Sequence, residues 1–159
     1  MRLDIEQLSE QAFQPFGSYL LLREPERGEK SALEYNPDLL VSVFEASTMA
    51  SISLLWLDER PFKINITEKH EHTEEIIGGF PGDVIFHVAL PSVKSPIKSS
   101  FRVFQLPAGG FVRFKRNVWH HAPFLLKAGR MAGIVILPPY TYTHDSVVVQ
   151  LDQEIEINI

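Results

Sequence analysis

One segment of this chain, F-K-I-N-I-T-E-K-H-E-H-T-E-E over residues 62–75, carries a carboxylate and two imidazoles at alternate positions near its end. At the two-residue period of a strand, one face carries Phe62, Ile64, Ile66, Glu68, His70 and His72. A strand that buries this face would carry Glu68, His70 and His72 inward at its end. Buried carboxylate and imidazole groups need partners, and a divalent cation is a common one. The pattern therefore predicts a metal site, with an exposed strand end carrying ordinary surface charge as the alternative.

Two further imidazoles, His120 and His121, follow Trp119 later in the chain and can complete such a site. Neighbouring residues of a strand face opposite ways, so the pattern leaves open which of the two points inward. The alternative for His120 is a buried imidazole that packs beside Trp119 and hydrogen-bonds to the backbone. Glu75 adds a carboxylate, interpreted either as a site residue or as a solvated turn residue beside Glu74.

The remaining charged and imidazole side chains give weaker signals. His87 lies within a predicted strand and His144 within a loop rich in Thr and Tyr, and both are interpreted as structural. Arg113, Lys115 and Arg116 form a basic run in an acidic protein. Such a run is usually the solvated face of a strand, and contact with an anionic substrate is the alternative.

The composition limits the chemistry that is available. The chain has 159 residues, which suits one domain over residues 1–159. It has no cysteine, so thiolate nucleophiles and Cys-ligated zinc are excluded, and any metal must be held by His and carboxylates. The net charge of −5 argues mildly against nucleic acid or an anionic membrane as a partner. The N-terminus lacks the apolar core of a signal peptide and no apolar run can span a bilayer, so a cytoplasmic location is expected.

Short alternating runs separated by Pro and Gly turns predict a mainly all-β protein. A short helix, capped by Ser9, is predicted to extend through Phe13. The predicted strands are Tyr19–Leu22, Leu39–Phe44, Ser51–Leu57, Phe62–His72, Val84–Leu90, Phe101–Leu106, Phe111–Phe114, Ala132–Leu137 and Glu154–Ile159. This pattern favours an antiparallel β-barrel or jelly roll, whose open end can hold a ligand. The charged segment Glu24–Lys30 is predicted to be a loop, and the last strand is predicted to offer a free edge to a second subunit.

The order Glu68-x-His70, followed by Glu75 and Gly82, resembles the first motif of the cupin superfamily, with Glu68 at the position of its first histidine. Val118–His121 then resembles the second motif, which has a single histidine. The resemblance narrows to the ureidoglycolate lyase family, formerly called ureidoglycolate hydrolase, through the segments Ser9–Tyr19, Glu68–His70 and Phe114–His121. It extends from residue 3 to about residue 126 and implies a cupin-type barrel.

This resemblance implies an enzyme that cleaves ureidoglycolate to glyoxylate and urea in allantoin and purine breakdown. It also implies a divalent metal and agrees with a homodimer. Nickel, manganese and zinc all accept Glu and His ligands, so the metal stays open. The implied residues are Glu68, His70 and His120 for the metal, Glu75 as fourth ligand or base, His121 and His72 for proton transfer, and Arg113, Lys115, Arg116 and Trp119 for the substrate.

Two other functions fit the same residues. A metal-dependent cupin that isomerises or oxygenates another small acid or sugar would use the same kinds of ligand, so ligand type does not separate it from a lyase. A cupin that binds a small molecule without turnover would need no metal, and its basic residues would only hold a carboxylate.

Overall fold

The computed structural model describes residues 1–22, 37–45 and 47–159, and nearly half of these residues form strands. The elements are β1 (Arg2–Leu3), β2 (Ile5–Gln7), α1 (Glu10–Phe13), β3 (Gly17–Leu20), β4 (Ser51–Asp58), β5 (Lys63–Lys69), β6 (Glu75–Gly78), β7 (Val84–Ala89), β8 (Arg102–Leu106), β9 (Phe111–Phe114), β10 (Trp119–His120), β11 (Phe124–Leu125), β12 (Arg130–Leu137), α2 (Thr141–His144) and β13 (Val147–Ile157). Among the described residues, no helix is long and apolar enough to cross a membrane.

Two sheets make a nearly closed barrel. The large sheet has the order β1-β13-β5-β10-β7-β8-β2, with β11 added beside β7, and the small sheet has the order β3-β9-β6-β12-β4. Neighbouring strands are antiparallel except for the pairs β1 with β13 and β2 with β8. The predicted all-β, barrel-type fold class is therefore confirmed.

Apolar side chains fill both sides of the large sheet. Phe86 belongs to a cluster that lies between the sheets, together with Phe104 and Phe114. Its neighbour in β7, Ile85, belongs to a second cluster with Trp119. Adjacent strand residues point to opposite faces, so these two clusters lie on opposite sides of the same strand. The central strands of the large sheet therefore carry two buried faces.

The short helix predicted near the N-terminus is confirmed as α1. The Ala12 amide donates to Ser9 Oγ at 3.2 Å, which is the hydrogen bond of an N-cap. Most of the predicted strands are also present, with ends that differ from the prediction by at most three residues. The strands β1, β2, β6, β10 and β11 were not predicted, because elements of two to four residues show little alternation in the sequence.

The strand predicted over Leu39–Phe44 is wrong. The structure has one isolated bridge there, between Phe44 and Thr73. The Val43 amide donates to a carboxylate oxygen of Glu74 at 2.8 Å instead of to a neighbouring strand. The predicted loop Glu24–Lys30 lies outside the described residues.

The prediction of a free edge on the last strand is also wrong. The strand β13 is longer than the predicted Glu154–Ile159 and lies between β5 and β1. Its pairing with β5 shifts in register between Gln150 and Ile155, and this irregularity hides the first half of the strand from an alternation pattern. Arg2 and Leu3 of β1 pair with Glu156 and Ile157 on its other side. The end of the strand is therefore not open to pairing with a second subunit.

Helix α1 anchors the cluster between the sheets through Phe13. The ring of Phe13 is fully buried and lies edge-on to Phe104 and Phe86, with centroids 5.3 and 5.8 Å away. We expect Phe13→Ala to lower the free energy of unfolding by about 3–5 kcal/mol, because it leaves a cavity that the surrounding aromatic rings cannot move in to fill. Urea unfolding measures this, with the partly exposed Phe111→Ala as control. Equal losses in the two variants would contradict the anchoring role.

Candidate active site

Strands β5, β6 and β10 bring the candidate site residues together inside the barrel. Glu68 on β5 lies directly opposite His120 on β10, so their side chains share a face. His120 also pairs with Val88, whose side chain lies in the cluster between the sheets. The ring of Phe114 stacks on the His120 imidazole at 4.4 Å. His120 therefore points into the barrel, which the sequence left undecided between His120 and His121.

Three buried side chains, His70, Glu75 and His120, form a tight cluster. Their ligand atoms all lie within 4.8 Å of one another. His70 Nε2 lies 3.0 Å and His120 Nε2 lies 3.4 Å from the same oxygen, Glu75 Oε2. We call this set the imidazole–carboxylate cluster. The sequence predicted Glu68 as the carboxylate beside the two imidazoles. In the structure Glu75 takes this place, and Glu68 is the neighbouring carboxylate.

The tautomers of both imidazoles follow from their outer hydrogen bonds. His70 Nδ1 lies 2.9 Å from the Asp145 carbonyl oxygen, and His120 Nδ1 lies 2.8 Å from the Val118 carbonyl oxygen. A carbonyl only accepts, so each Nδ1 carries a proton and donates it. In the neutral rings, both Nε2 lone pairs then face a carboxylate oxygen. Such an arrangement needs a cation between the groups, either protons or a metal ion.

The donor set fits a divalent metal. Two imidazole Nε2 atoms and one carboxylate oxygen are ligands that zinc, nickel and manganese accept. The Nδ1–H bonds to backbone carbonyls are the outer interactions that usually fix metal-binding histidines. The cluster is therefore able to hold a metal ion through His70, Glu75 and His120.

The electrostatics separate the two carboxylates. Burial alone would raise the pKa of Glu75, but hydrogen bonds and charge from His120 and His70 outweigh it and lower this pKa to about 2. For Glu68, burial and the negative charge of Glu75 outweigh the two imidazoles and raise the pKa. Burial lowers the pKa of His70, yet its contacts with Glu75 dominate and the pKa is raised. Glu75 is thus the group that stays ionised, and Glu68 is the one that accepts a proton more readily.

Asp145, which follows α2, positions His70 and was missed in the sequence. Its carbonyl oxygen accepts the His70 Nδ1–H, and its carboxylate accepts from the amides of Glu71 and His72 at 2.9 and 3.0 Å. Asp145 therefore holds the turn that places His70 at the end of β5. A single Asp far from the motif in sequence carries no signal, because the contact exists only once β13 pairs with β5.

The face of β5 that looked polar in sequence is buried as well. Thr67 Oγ1 donates to the His120 carbonyl oxygen at 3.0 Å and accepts from His87 Nε2 at 3.1 Å. Lys69 is 2% exposed, and its Nζ lies 2.8 Å from a Glu71 oxygen and 5.3 Å from the Trp119 ring. These contacts fix the backbone of β5 and β10 from behind, so the second face supports the site and is not a solvated surface.

The basic residues proposed for the substrate make contacts outside the imidazole–carboxylate cluster. Arg113 is next to the inward-facing Phe114 and therefore points outward, where its guanidinium donates to both Glu74 oxygens at 2.9 and 3.0 Å. Lys115 Nζ donates to the Gln14 carbonyl oxygen at 2.5 Å. Arg116 pairs with Glu45. Trp119, also proposed to contact the substrate, is fully buried in the cluster on the outer side of the large sheet.

The histidines proposed for proton transfer differ in environment. His72 is exposed, and its backbone amide is held by Asp145. His121 is half-buried, and its Nδ1 finds no hydrogen-bond partner among the described residues. Burial and the positive charges of Arg60 and His120 lower the pKa of His121 to about 4. His121 is thus a neutral imidazole at physiological pH.

A cleft of about 290 Å³ lies beside the cluster. It is lined by Ser47, Met49, His72, Thr73, Pro138, Pro139, Tyr140, Thr141, His144 and Asp145. Asp145 joins this cleft to His70, and the ring of Tyr142 stands over His70 with centroids 6.5 Å apart. The volume suits a small acid.

Fold and site together define a small β-barrel protein with a buried cluster that can hold a metal beside an open cleft. Residues 1–158 match the ureidoglycolate lyase family. The chain therefore belongs to the ureidoglycolate lyase family, and this membership makes it a lyase. No curated protein matches the chain in a sequence comparison.

Metal binding tests the imidazole–carboxylate cluster directly. After chelator treatment, we expect one nickel or manganese ion per chain, with affinity lowered ~10-fold or more in His70→Ala and in His120→Ala because each loses a ligand. Isothermal titration calorimetry measures the affinity and elemental analysis the stoichiometry. His144→Ala is the matched control, since this exposed histidine lies in the cleft but outside the cluster. Binding that both cluster variants retain at full strength would contradict the assignment.

The pKa of His121 predicts how metal-free stability depends on pH. Its value is about 4 in the folded protein and about 6.5 when unfolded, so the unfolded chain binds the proton first as pH falls. The contribution of His121 to stability is complete above pH ~6.5 and is lost towards pH ~4. In chelator, the urea midpoint of wild type should therefore fall more steeply over this range than that of His121→Gln. Parallel curves for the two proteins would show that His121 is not held neutral.

Proposed function

We propose that this chain cleaves ureidoglycolate to glyoxylate and urea, and that it does so at the imidazole–carboxylate cluster. The observation that carries the reaction is the family match over residues 1–158. The location is supported by the buried cluster of His70, Glu75 and His120 beside a cleft of suitable size. A cytoplasmic location and a small acid as the partner of the site remain predictions from the sequence.

The substrate makes this chemistry accessible to acid and base groups. Ureidoglycolate carries a hydroxyl and a urea nitrogen on one carbon, next to a carboxylate. A base removes the hydroxyl proton, the oxygen forms the carbonyl of glyoxylate, and the C–N bond breaks with its electron pair moving to nitrogen. An acid then protonates that nitrogen to release urea.

A divalent ion would be held by His70 Nε2, His120 Nε2 and Glu75. When bound, it would supply Lewis-acid chemistry that lowers the pKa of the substrate hydroxyl. Glu75 suits the ligand role because its pKa of about 2 keeps it ionised at every working pH. Nickel, manganese and zinc remain the candidates.

Glu68 suits the role of general base better than Glu75 does. It lies opposite His120 on the inward face, next to the place where the ligands converge. Burial and Glu75 raise its pKa, which moves its proton affinity towards that needed near neutral pH. This assignment exchanges the roles that the sequence gave to Glu68 and Glu75. Tyr142, whose pKa is raised by burial and by both carboxylates, keeps its proton and can donate a hydrogen bond at the mouth.

Glyoxylate release from ureidoglycolate tests the reaction and the two carboxylates at once. With nickel or manganese restored, we expect turnover by wild type, a loss of ~10²–10⁴-fold in kcat for Glu68→Gln with the metal retained, and loss of metal for Glu75→Gln. The matched control Glu59→Gln, an exposed carboxylate between β4 and β5 that does not line the cleft, should keep both metal and turnover.

Two results would contradict the proposal in different ways. A wild-type protein that binds one metal per chain but releases no glyoxylate would refute the substrate. Full turnover by Glu68→Gln would refute Glu68 as the base while leaving the substrate intact.

A further inference from the structure

The imidazole of His87 lies on the outer side of the large sheet, in apolar surroundings. Its neighbours on the same face of β7, Ile85 and Ala89, both belong to the cluster on that side of the sheet. His87 is buried, and its Nδ1 finds no hydrogen-bond partner among the described residues. Burying an imidazole with an unpaired nitrogen costs free energy, so its presence in an apolar strand requires an explanation.

The other ring nitrogen of His87 connects it to the site through Thr67. His87 Nε2 lies 3.1 Å from Thr67 Oγ1, which lies 3.0 Å from the carbonyl oxygen of His120. A carbonyl oxygen only accepts, so the single proton of the Thr67 hydroxyl is donated to His120, and His87 Nε2 donates to Thr67. We call these two hydrogen bonds the rear bridge. Their directions are fixed, and the neutral His87 ring carries its proton on Nε2.

The rear bridge passes behind the strand that carries His120. In the large sheet, β10 lies between β5, which carries Thr67, and β7, which carries His87. Neighbouring strands of a sheet are nearly 5 Å apart, so β5 and β7 are separated by about 10 Å and only side chains can join them. The two side chains meet across β10 and hold its main chain at the His120 carbonyl.

The strand β10 is short, so its own ladder gives the His120 main chain little support. It consists of Trp119 and His120 alone, which pair with Glu68 on one side and with β7 on the other. The residues that follow it, 121–123, belong to no strand. A segment with few backbone hydrogen bonds has low local stability. The rear bridge therefore adds a side-chain contact where the ladder is weakest.

The packing around His87 holds its ring in one orientation. The Phe101 ring lies beside the imidazole, with centroids 5.8 Å apart and planes inclined at 38°. Val103 on β8 pairs with His87, and both Phe101 and Val103 are buried. A donor enclosed in a close-packed cluster cannot turn to another acceptor. Burial also lowers the pKa of His87 well below its usual range, so the ring stays neutral and keeps its Nε2 proton for Thr67.

We propose that His87 is a positioning residue, which sets the direction of the His120 ring through Thr67. The role rests on the proposed function for the reaction that it serves, although its contacts involve no substrate. His120 Nδ1 donates to the Val118 carbonyl oxygen, so the direction of the ring depends on where the main chain of residues 118–120 lies. The rear bridge holds that main chain from the side opposite the site and keeps His120 Nε2 directed at Glu75.

Imidazole resonances in the metal-free protein test the proposal without metal or substrate. In chelator, long-range proton–nitrogen NMR should show His87 protonated on Nε2. His87→Leu removes the first bond of the rear bridge and Thr67→Val removes both, so each variant should shift the ring resonances of His120. His87→Gln, whose side-chain amide donates from the position of Nε2, should restore the wild-type resonances. His87→Asn is polar but too short to reach Thr67, and it should behave as His87→Leu does.

Nickel affinity, measured by calorimetry, gives a second readout. We expect a loss of ~10-fold in His87→Leu, as for other outer partners of a metal-binding histidine, and recovery in His87→Gln. The double variant of His87→Leu with Thr67→Val should lose no more affinity than Thr67→Val alone, because His87 acts only through Thr67.

The matched control is Val103→Ala, which opens a cavity beside His87 and leaves both hydrogen bonds in place. It should lower the urea midpoint but keep the His120 resonances and the nickel affinity of wild type. His87 protonated on Nδ1 would overturn the proposal, and so would wild-type His120 resonances in folded His87→Leu or His87→Asn. If these results hold but wild type releases no glyoxylate from ureidoglycolate, the proposed substrate fails and the positioning role stands.

Discussion

Two imidazoles that converge on one carboxylate oxygen inside the barrel are the constraint around which the rest of the structure is arranged. His70 and His120 both donate their Nδ1–H outward to carbonyl oxygens, so both Nε2 atoms are committed to Glu75. A buried carboxylate that loses such partners costs about 3–5 kcal/mol. The elements that hold the two rings in place are therefore required for stability as well as for chemistry.

Three separate elements meet that requirement, and each acts through the backbone. The β5–β10 pairing sets Glu68 opposite His120, and Thr67 donates to the His120 carbonyl from the other side of the sheet. Asp145 fixes the turn after β5 and accepts from His70. Because all three use main-chain groups, they set the direction of the rings whichever ion or proton lies between them.

The sequence predicted the fold class, the short helix and the two histidines of the imidazole–carboxylate cluster, since these depend on local patterns. The Ser9 cap identified α1, and the alternation grouped Glu68 with His70 near the site. The alternation also placed Ile64 on that face and extended the strand to His72, but Ile64 lies in the outer cluster and β5 ends at Lys69. The sequence missed what depends on pairing between distant segments. Asp145 reaches His70 only through β13, and the two-sided burial of β5 requires the second cluster on the outside of the large sheet.

The difference between the predicted carboxylate, Glu68, and the observed one, Glu75, also arises from pairing between distant segments. A strand pattern places Glu68 and His70 on one face and cannot place Glu75, because β6 belongs to the other sheet. In the small sheet, Glu75 pairs with Phe114, and the Phe114 ring stacks on His120. This pairing places Glu75 against the two imidazoles of the large sheet. Tertiary pairing thus decided which carboxylate joined the imidazoles.

The difference between these two carboxylates is itself an argument for acid–base chemistry at the site. With both imidazoles neutral and both carboxylates ionised, the buried site would carry two negative charges, which a divalent cation would balance. Without a metal, the contacts with Glu75 raise the pKa of His70, so protons supply part of that balance. Hydrogen bonds and charge from the two imidazoles outweigh burial and lower the pKa of Glu75, whereas burial and the negative charge of Glu75 raise the pKa of Glu68. Two groups whose environments separate their pKa values in this way can take different roles in the reaction, one as a permanent anion and one as a proton acceptor.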